Sequence, residues 1–247
     1  MLITSLENEK VKEIVKLKNR KFRKKTRTFL VEGLHLVLEA FRNNVLVELL
    51  LVENEELPLE VKTTYFSEAV MKKLSSLDNP PGIMGICKMK ENVEDLGDRV
   101  VLLDSIQDPA NLGLIIRSAL AFGATTLVLS PDAVDLYNPK VIRATQGMIF
   151  ALNIIIADLE EVLLKLKKQD YSIFGTTVNL GVSVTSIEEL EKKKYALVMG
   201  NEGRGVSARL LDLCDKNLNI KMVNNVESLN VAVACSILLY ELNKRVE

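Results

Sequence analysis

The sequence predicts an α/β protein in two parts. A small N-terminal α/β domain spans residues 1–92, a charged linker spans 93–99, and a C-terminal domain built on a parallel sheet spans 100–247. Three observations predict this. Beyond the linker, strand-like runs alternate with helical patterns, and the runs are almost wholly apolar, as strands covered on both faces must be. The stretch "KENVEDLGDR" interrupts the apolar pattern with charge and a glycine, which marks a domain boundary. The chain has 247 residues and is 48% hydrophobic, which supplies enough apolar surface for two cores.

Taken in order, the first part opens with a basic helix that ends in "NRKFRKKTR". Then come a strand "TFLVEG", a helix near Leu34 to Arg42, an apolar strand "LVELLLV", a short strand "KTTYF", and a helix from about Ser67. A last strand, "GIMGICKM", follows the turn "DNPPG". The second part reads "VVLLD", a helix from Pro109, "TTLVLS", a helix around Pro139 to Gly147, "ALNIIIA", and a helix near Asp158 to Lys168. It continues with "YSIFGTT", a short helix, "YALVMG", a helix from Val206, "NLNIKM" and a final helix. The sequence has no internal repeat and no low-complexity tract.

The opening "MLITSLENEK" has no basic region leading into an apolar run, and no segment approaches the roughly 18 uninterrupted apolar residues of a membrane span. The expected location is therefore the cytoplasm. Cys87, Cys214 and Cys235 are odd in number and far apart, and His35 is the single histidine, so reduced thiols are expected and a disulfide frame or metal site is not. The formal net charge of −1 hides a cationic segment: ten basic residues lie from Lys10 to Arg27 against one acid, Glu13. Such a run is either the solvated face of a helix or a surface for phosphates. Its density favours nucleic acid, with Arg20, Lys21, Arg23, Lys24, Lys25 and Arg27 as contacts.

Ligands of parallel sheets sit at the carboxyl ends of strands, which directs attention to three loops. In "LLDSIQDPANLGLIIRSALAFG", Asp108 and Pro109 read as an N-cap and first helical position, with Leu112, Ile115, Ile116 and Ala119 buried. Arg117 lies one turn beyond Gly113 and leans back toward the helix start. It either holds a phosphate there, beside Asn111, or is a surface arginine above a packing glycine. In "YALVMGNEGRGVS", Gly200, Gly203 and Gly205 allow close backbone approach, by a ligand or by another piece of chain. Their spacing matches neither a P-loop nor G-x-G-x-x-G. In "IKMVNNVESLNVAVACSILLYEL", Glu227, Ser228 and Asn230 are polar residues at the start of an apolar helix. Ser228 is either a helix cap or part of a site.

Together these stretches resemble the SpoU/TrmH family of RNA ribose 2′-O-methyltransferases, within the SPOUT superfamily. The N-x-G-x-x-x-R pattern is carried by Asn111, Gly113 and Arg117, G-x-E-G-x-G by Gly200, Glu202, Gly203 and Gly205, and E-S-L-N-V by Glu227 to Val231. "NPKVIRATQG" around Arg143 is similar to a further family segment, and the N-terminal part is similar to the RNA-binding domain of members that act on ribosomal RNA. The resemblance implies a C-terminal domain tied in a deep trefoil knot. It implies S-adenosylmethionine held by Thr176, Gly200, Ile220, Met222 and Leu229, and a catalytic set of Asn111, Arg117, Ser228 and Asn230. It also implies Arg117 acting across a homodimer interface, Arg143 as an RNA contact, and RNA, large-subunit ribosomal RNA above tRNA, as substrate.

This sequence departs from the family in one loop: the usual I-P-M-x-G reads Ile220, Lys221, Met222, Val223 and Asn224, which implies a looser cofactor loop. Leu114 and Thr145 are milder changes. The rival readings are a non-catalytic RNA-binding assembly protein and a doubly wound oxidoreductase. Retention of the four catalytic positions argues against the first, and lack of a dinucleotide fingerprint against the second.

Overall fold

The computed structural model describes residues 2–178, 181–187, 194–223 and 226–244. It falls into two compact units, one of residues 1–91 with 135–151 and one of residues 92–134 with 152–247.

The first unit begins with β1 (Leu2–Ile3), α1 (Glu9–Lys16), α2 (Arg20–Thr26), β2 (Thr28–Glu32) and α3 (Leu34–Arg42). It continues with β3 (Leu46–Val52), β4 (Lys62–Phe66), α4 (Glu68–Leu74) and β5 (Ile83–Lys88). Its sheet has the order β1-β4-β3-β5-β2, with β5 antiparallel to both neighbours. Val11, Ile14 and Leu17 pack with Leu50, Phe66, Met71 and Leu74 beneath it.

The expected single basic helix is two. The Leu17 N–H closes α1 on the Ile14 carbonyl, and Asn19 then caps a new helix by accepting from Lys21 N at 2.8 Å. Arg23 turns inward between them, and this corrects its assignment as an RNA contact. It is 5% exposed, donates to the carbonyls of Leu17 at 2.7 Å and Lys18 at 2.9 Å, and pairs with the Asp135 carboxylate.

Asp135 opens the segment that returns to this unit from the middle of the chain, carrying α6 (Pro139–Thr145). The sequence places this segment in the C-terminal domain. In the fold Tyr137 lies 4.6 Å from the Phe29 ring, and Gly147, at φ +86°, leaves room for Glu39, whose Cβ would lie 2.6 Å from an added Cβ.

The second unit contains β6 (Arg99–Leu103), α5 (Pro109–Ala121), β7 (Thr126–Leu129), β8 (Asn153–Ile156), α7 (Leu159–Lys168), β9 (Ser172–Thr176) and β10 (Val182–Ser183). It ends with β11 (Tyr195–Met199), α8 (Ala208–Leu211), β12 (Lys216–Asn219) and α9 (Val231–Asn243). Its seven strands run in the order β10-β12-β9-β11-β6-β7-β8, all pairs parallel. Val100, Leu102, Ile173, Ala196 and Val198 pack against α7, while α9 packs on α5, with Ser118 Oγ 2.6 Å from Ser236 Oγ. No helix among the described residues is long and apolar enough to cross a membrane. The helix expected from Val206 has only four residues, and β12 ends at Asn219, so Ile220 to Met222 leave the sheet.

Removing one member of a buried ion pair strands the other, at a cost of about 3 kcal/mol. Arg23→Ala is therefore expected to lower the urea midpoint, whereas Lys24→Ala, at an exposed position on the same helix, leaves it unchanged; equilibrium denaturation of the two variants checks this.

Candidate active site

The order of the large sheet decides where a ligand can bind. From β6 the chain builds outward through β7 and β8, then crosses to lay β9, β10, β11 and β12 on the other side, with β11 next to β6, so the order reverses between β6 and β11. Their register pairs Met199 with Leu103, and Asp104 N donates to Met199 O at 2.9 Å, so the loops after both strands leave the sheet at the same level. Between them and the ends of β9 and β12 lies a cleft of about 1050 Å³. Its walls combine apolar side chains, Leu218, Ile220, Met222, Leu229 and Leu238, with the polar Thr176, Asn111, Ser228 and Asn230. An apolar cavity with a few convergent polar groups is the form of a cofactor site.

One chain of hydrogen bonds crosses the rim. Glu202 accepts from Asn111 Nδ2 at 3.1 Å, from Asp108 N at 3.2 Å and from Gln107 N at 3.4 Å. Asn111 Oδ1 accepts from Asn230 Nδ2 at 2.8 Å, and Asn230 Oδ1 accepts from Ala232 N and Val233 N, capping α9. An ionised carboxylate only accepts, so both amide orientations follow from it without ambiguity. Burial pushes the Glu202 carboxyl up, but the hydrogen bonds from Asn111 and from backbone N–H groups outweigh it and hold the group below its ordinary 4.5. The cap of the last helix is thus Asn230 and not Ser228, whose side chain is exposed in the cleft and makes no hydrogen bond among the described residues.

The glycine loop approaches another piece of chain. A Cβ on Gly200 would lie 2.1 Å from both Gly205 C and Val206 N, because the loop folds back so that Asn201 and Gly205 exchange backbone hydrogen bonds at 3.1 and 2.9 Å. Asn201 Oδ1 accepts from Gly203 N and Arg204 N, and its Nδ2 ties the loop to Ser105 O at 2.8 Å. Glu202 is carried at the tip of this turn, facing the start of α5.

Of the residues expected at the site, Asn111, Thr176, Gly200, Ile220, Met222, Ser228, Leu229 and Asn230 line this one cleft. Arg117 does not: it sits on the exposed face of α5 and makes no hydrogen bond or ion pair among the described residues. Lys221 is exposed, and Asn224 lies outside the described residues. The cationic set belongs to the first unit. Arg20, Lys21, Lys24, Lys25 and Arg27 are exposed there, with Arg20 Nε 3.6 Å from Asp135 and Arg27 donating to Lys90 O at 2.9 Å. Half-buried Arg143 donates to Ser76 Oγ at 2.9 Å. Glu202 and Gln107 were absent from the expected set. Glu202 stands in the G-x-E-G-x-G pattern, but only its partners reveal what it does.

A parallel sheet with a cofactor-sized cleft at its switch point defines a ligand-binding α/β class, and the chain also carries a separate basic unit. The chain belongs to the SpoU rRNA Methylase family, whose profile matches residues 98–240, and residues 8–85 match the MRM3-like substrate binding domain. It is an RNA methyltransferase. It is 38% identical over 245 residues, covering 97% of this chain and 98% of the relative, to the 23S rRNA (guanosine(2553)-2′-O)-methyltransferase RlmP of Bacillus subtilis. An rRNA methyltransferase from Sinorhizobium meliloti superposes with TM-score 0.89 at 28% identity, covering 100% of this chain and 98% of that one. Its AdoMet-bound form gives 0.88 at 28% identity with the same coverage.

Two predictions follow from this geometry. The folded-state value of the Glu202 carboxyl lies below the unfolded one, so its ionisation favours the folded loop at pH above 4.5, and that contribution is lost as pH falls through the folded value. In Asn111→Ala the carboxyl is expected to titrate higher, which NMR of the carboxyl carbon reads directly. Gly200→Ala forces a methyl into backbone and is expected to lower the melting temperature, whereas a Cβ on Gly203 meets only Asn201 Oδ1, at 3.7 Å, and is tolerated. Thermal denaturation of both variants checks this.

Proposed function

We propose that this protein transfers a methyl group from S-adenosylmethionine to a ribose 2′-hydroxyl of large-subunit ribosomal RNA. The observation that carries the reading is the hydrogen-bond chain Glu202–Asn111–Asn230, which joins the three family motifs at the rim of one cleft. The relative RlmP, similar over nearly the whole chain, supports the substrate class, and the AdoMet-bound neighbour supports the cofactor.

The donor set fits the cofactor. Leu218, Ile220 and Leu229 offer apolar surface to its adenosine and methylene groups, and Thr176, Gly200 and Met222 line the same walls. Bound there, S-adenosylmethionine supplies an electrophilic methyl group on a sulfonium. The chain's residues do the rest by placement, which can supply several kcal/mol or more. Asn111 and Asn230 each retain one amide N–H beyond the chain of bonds, and these donors, with the Ser228 hydroxyl, orient the ribose oxygen. Both amides are donors here, so neither takes the hydroxyl proton, which passes to solvent water beside the exposed Ser228. The guanidinium of Arg117 stays protonated and acts by holding RNA phosphate and offsetting charge that develops on the ribose oxygen.

Arg117 acts from the second copy of a homodimer in this reading. Its exposed position on α5 supports this, as do the exposed apolar Leu114, Val233 and Tyr240 on α5 and α9. The trefoil knot belongs to the same reading. It is supported by family membership and by Ile220, Met222, Ser228 and Leu229, which line the cleft after β12 and before α9, itself packed on α5.

The deciding experiment offers labelled S-adenosylmethionine with unmodified large-subunit rRNA, small-subunit rRNA and tRNA, and digests each product with alkali. Label in alkali-resistant dinucleotides of large-subunit rRNA is expected. Label in tRNA would move the substrate, and alkali-labile label would overturn ribose methylation. Arg117→Ala and Asn230→Ala are each expected to lose at least tenfold in kcat, and mixing the two inactive proteins is expected to restore part of the activity. No recovery, with dimers still exchanging, would place Arg117 in its own subunit's site.

A further inference from the structure

Within the first unit, a buried carboxylate and a hydroxyl stand behind Arg143. Glu32, 9% exposed at the end of β2, accepts from the Ser75 hydroxyl, from Ser76 N at 3.1 Å and from Ser76 Oγ at 2.6 Å. Because the carboxylate cannot donate, the Ser76 proton must point to Glu32. The Ser76 oxygen is then left as an acceptor, and Arg143 Nη1 fills it at 2.9 Å.

The backbone of Arg143 is held as well. It lies in the last turn of α6, where Gln146, in left-handed conformation at φ 50°, donates from Nε2 to the Arg143 carbonyl at 2.8 Å. His35 Nε2 lies 3.1 Å from the carbonyl of Gln146. A guanidinium held directly by Glu32 would be neutralised. Held through a hydroxyl, it keeps its charge and its four other N–H donors for a planar, bidentate acceptor such as a phosphate.

We propose that Ser76, backed by Glu32, is a positioning residue that presents Arg143 to the phosphate backbone of the RNA substrate while leaving its charge unspent. This rests on the reading of Arg143 as an RNA contact. A hydroxyl that merely docked α6 would affect stability and not RNA recognition.

The test measures RNA binding by the full-length protein across a salt series, alongside steady-state kinetics and melting temperature. Arg143→Ala is expected to weaken RNA binding about tenfold and to reduce the salt slope by about 0.7–0.9, the loss of one phosphate contact. Ser76→Ala is expected to raise KM for RNA three- to tenfold with kcat and S-adenosylmethionine affinity unchanged, and Ser76→Thr, which keeps the hydroxyl, to restore it. In an Arg143→Ala background, Ser76→Ala is expected to add no further loss of RNA affinity.

An unchanged KM in Ser76→Ala, or an equal further loss in the Arg143→Ala background, would overturn the relay and leave the methyltransferase reading intact. Wild-type protein that binds none of the three RNA classes would overturn the substrate reading itself, and the relay with it.

Discussion

Three loops separated by up to 119 residues must be held at one place for the cleft to exist, and the constraint that holds them is the one-way logic of a carboxylate. Glu202 can only accept, so Asn111 must present its amide nitrogen, Asn230 must do the same in turn, and the Asn230 oxygen is left to cap the last helix. An N-cap of this kind is worth about 1 kcal/mol, a modest sum. Its larger effect is geometric. The start of α9, the start of α5 and the tip of the glycine loop cannot shift independently, and Ser228 and Leu229 are delivered to the cleft wall as a result.

The glycine loop shows why this constraint can be met in so little space. Gly200 carries no side chain because the returning backbone of Gly205 and Val206 occupies its position, and Asn201 fastens the turn from inside. The close approach that glycines advertise in a sequence is here an approach of chain to chain. Binding surface for a ligand is then left to backbone edges and to the apolar residues from β12 onward, where Ile220 and Met222 have left the sheet.

The first unit uses its charges in two ways that composition cannot distinguish. Arg23 is spent on structure, since its guanidinium closes the junction of α1 and α2 and ties Asp135 down. Lys21, Lys24 and Lys25 remain exposed, and in the proposed reading they attract the RNA polyanion at little cost to the fold. Arg143 stands between these cases, fixed by Ser76 but not neutralised by it.

The sequence by itself determined the elements and the family. Alternating apolar runs, the Asp108–Pro109 helix start and the three ordered motifs are local signals, and most of the strands and helices they announce are present, though the basic helix is split in two, the helix after Val206 is a single turn, and the short helix expected before β11 falls largely outside the described residues. It did not determine which polar group does what. That Asn230 and not Ser228 caps α9, that Arg23 points inward, and that residues 135–151 group with the first unit depend on partners such as Asp135, 112 residues from Arg23. Periodicity and capping rules describe neighbours within a few residues of one another. Hydrogen-bond direction and burial are settled only when distant segments meet, so the roles of Glu202 and Ser76 became legible in the tertiary structure alone.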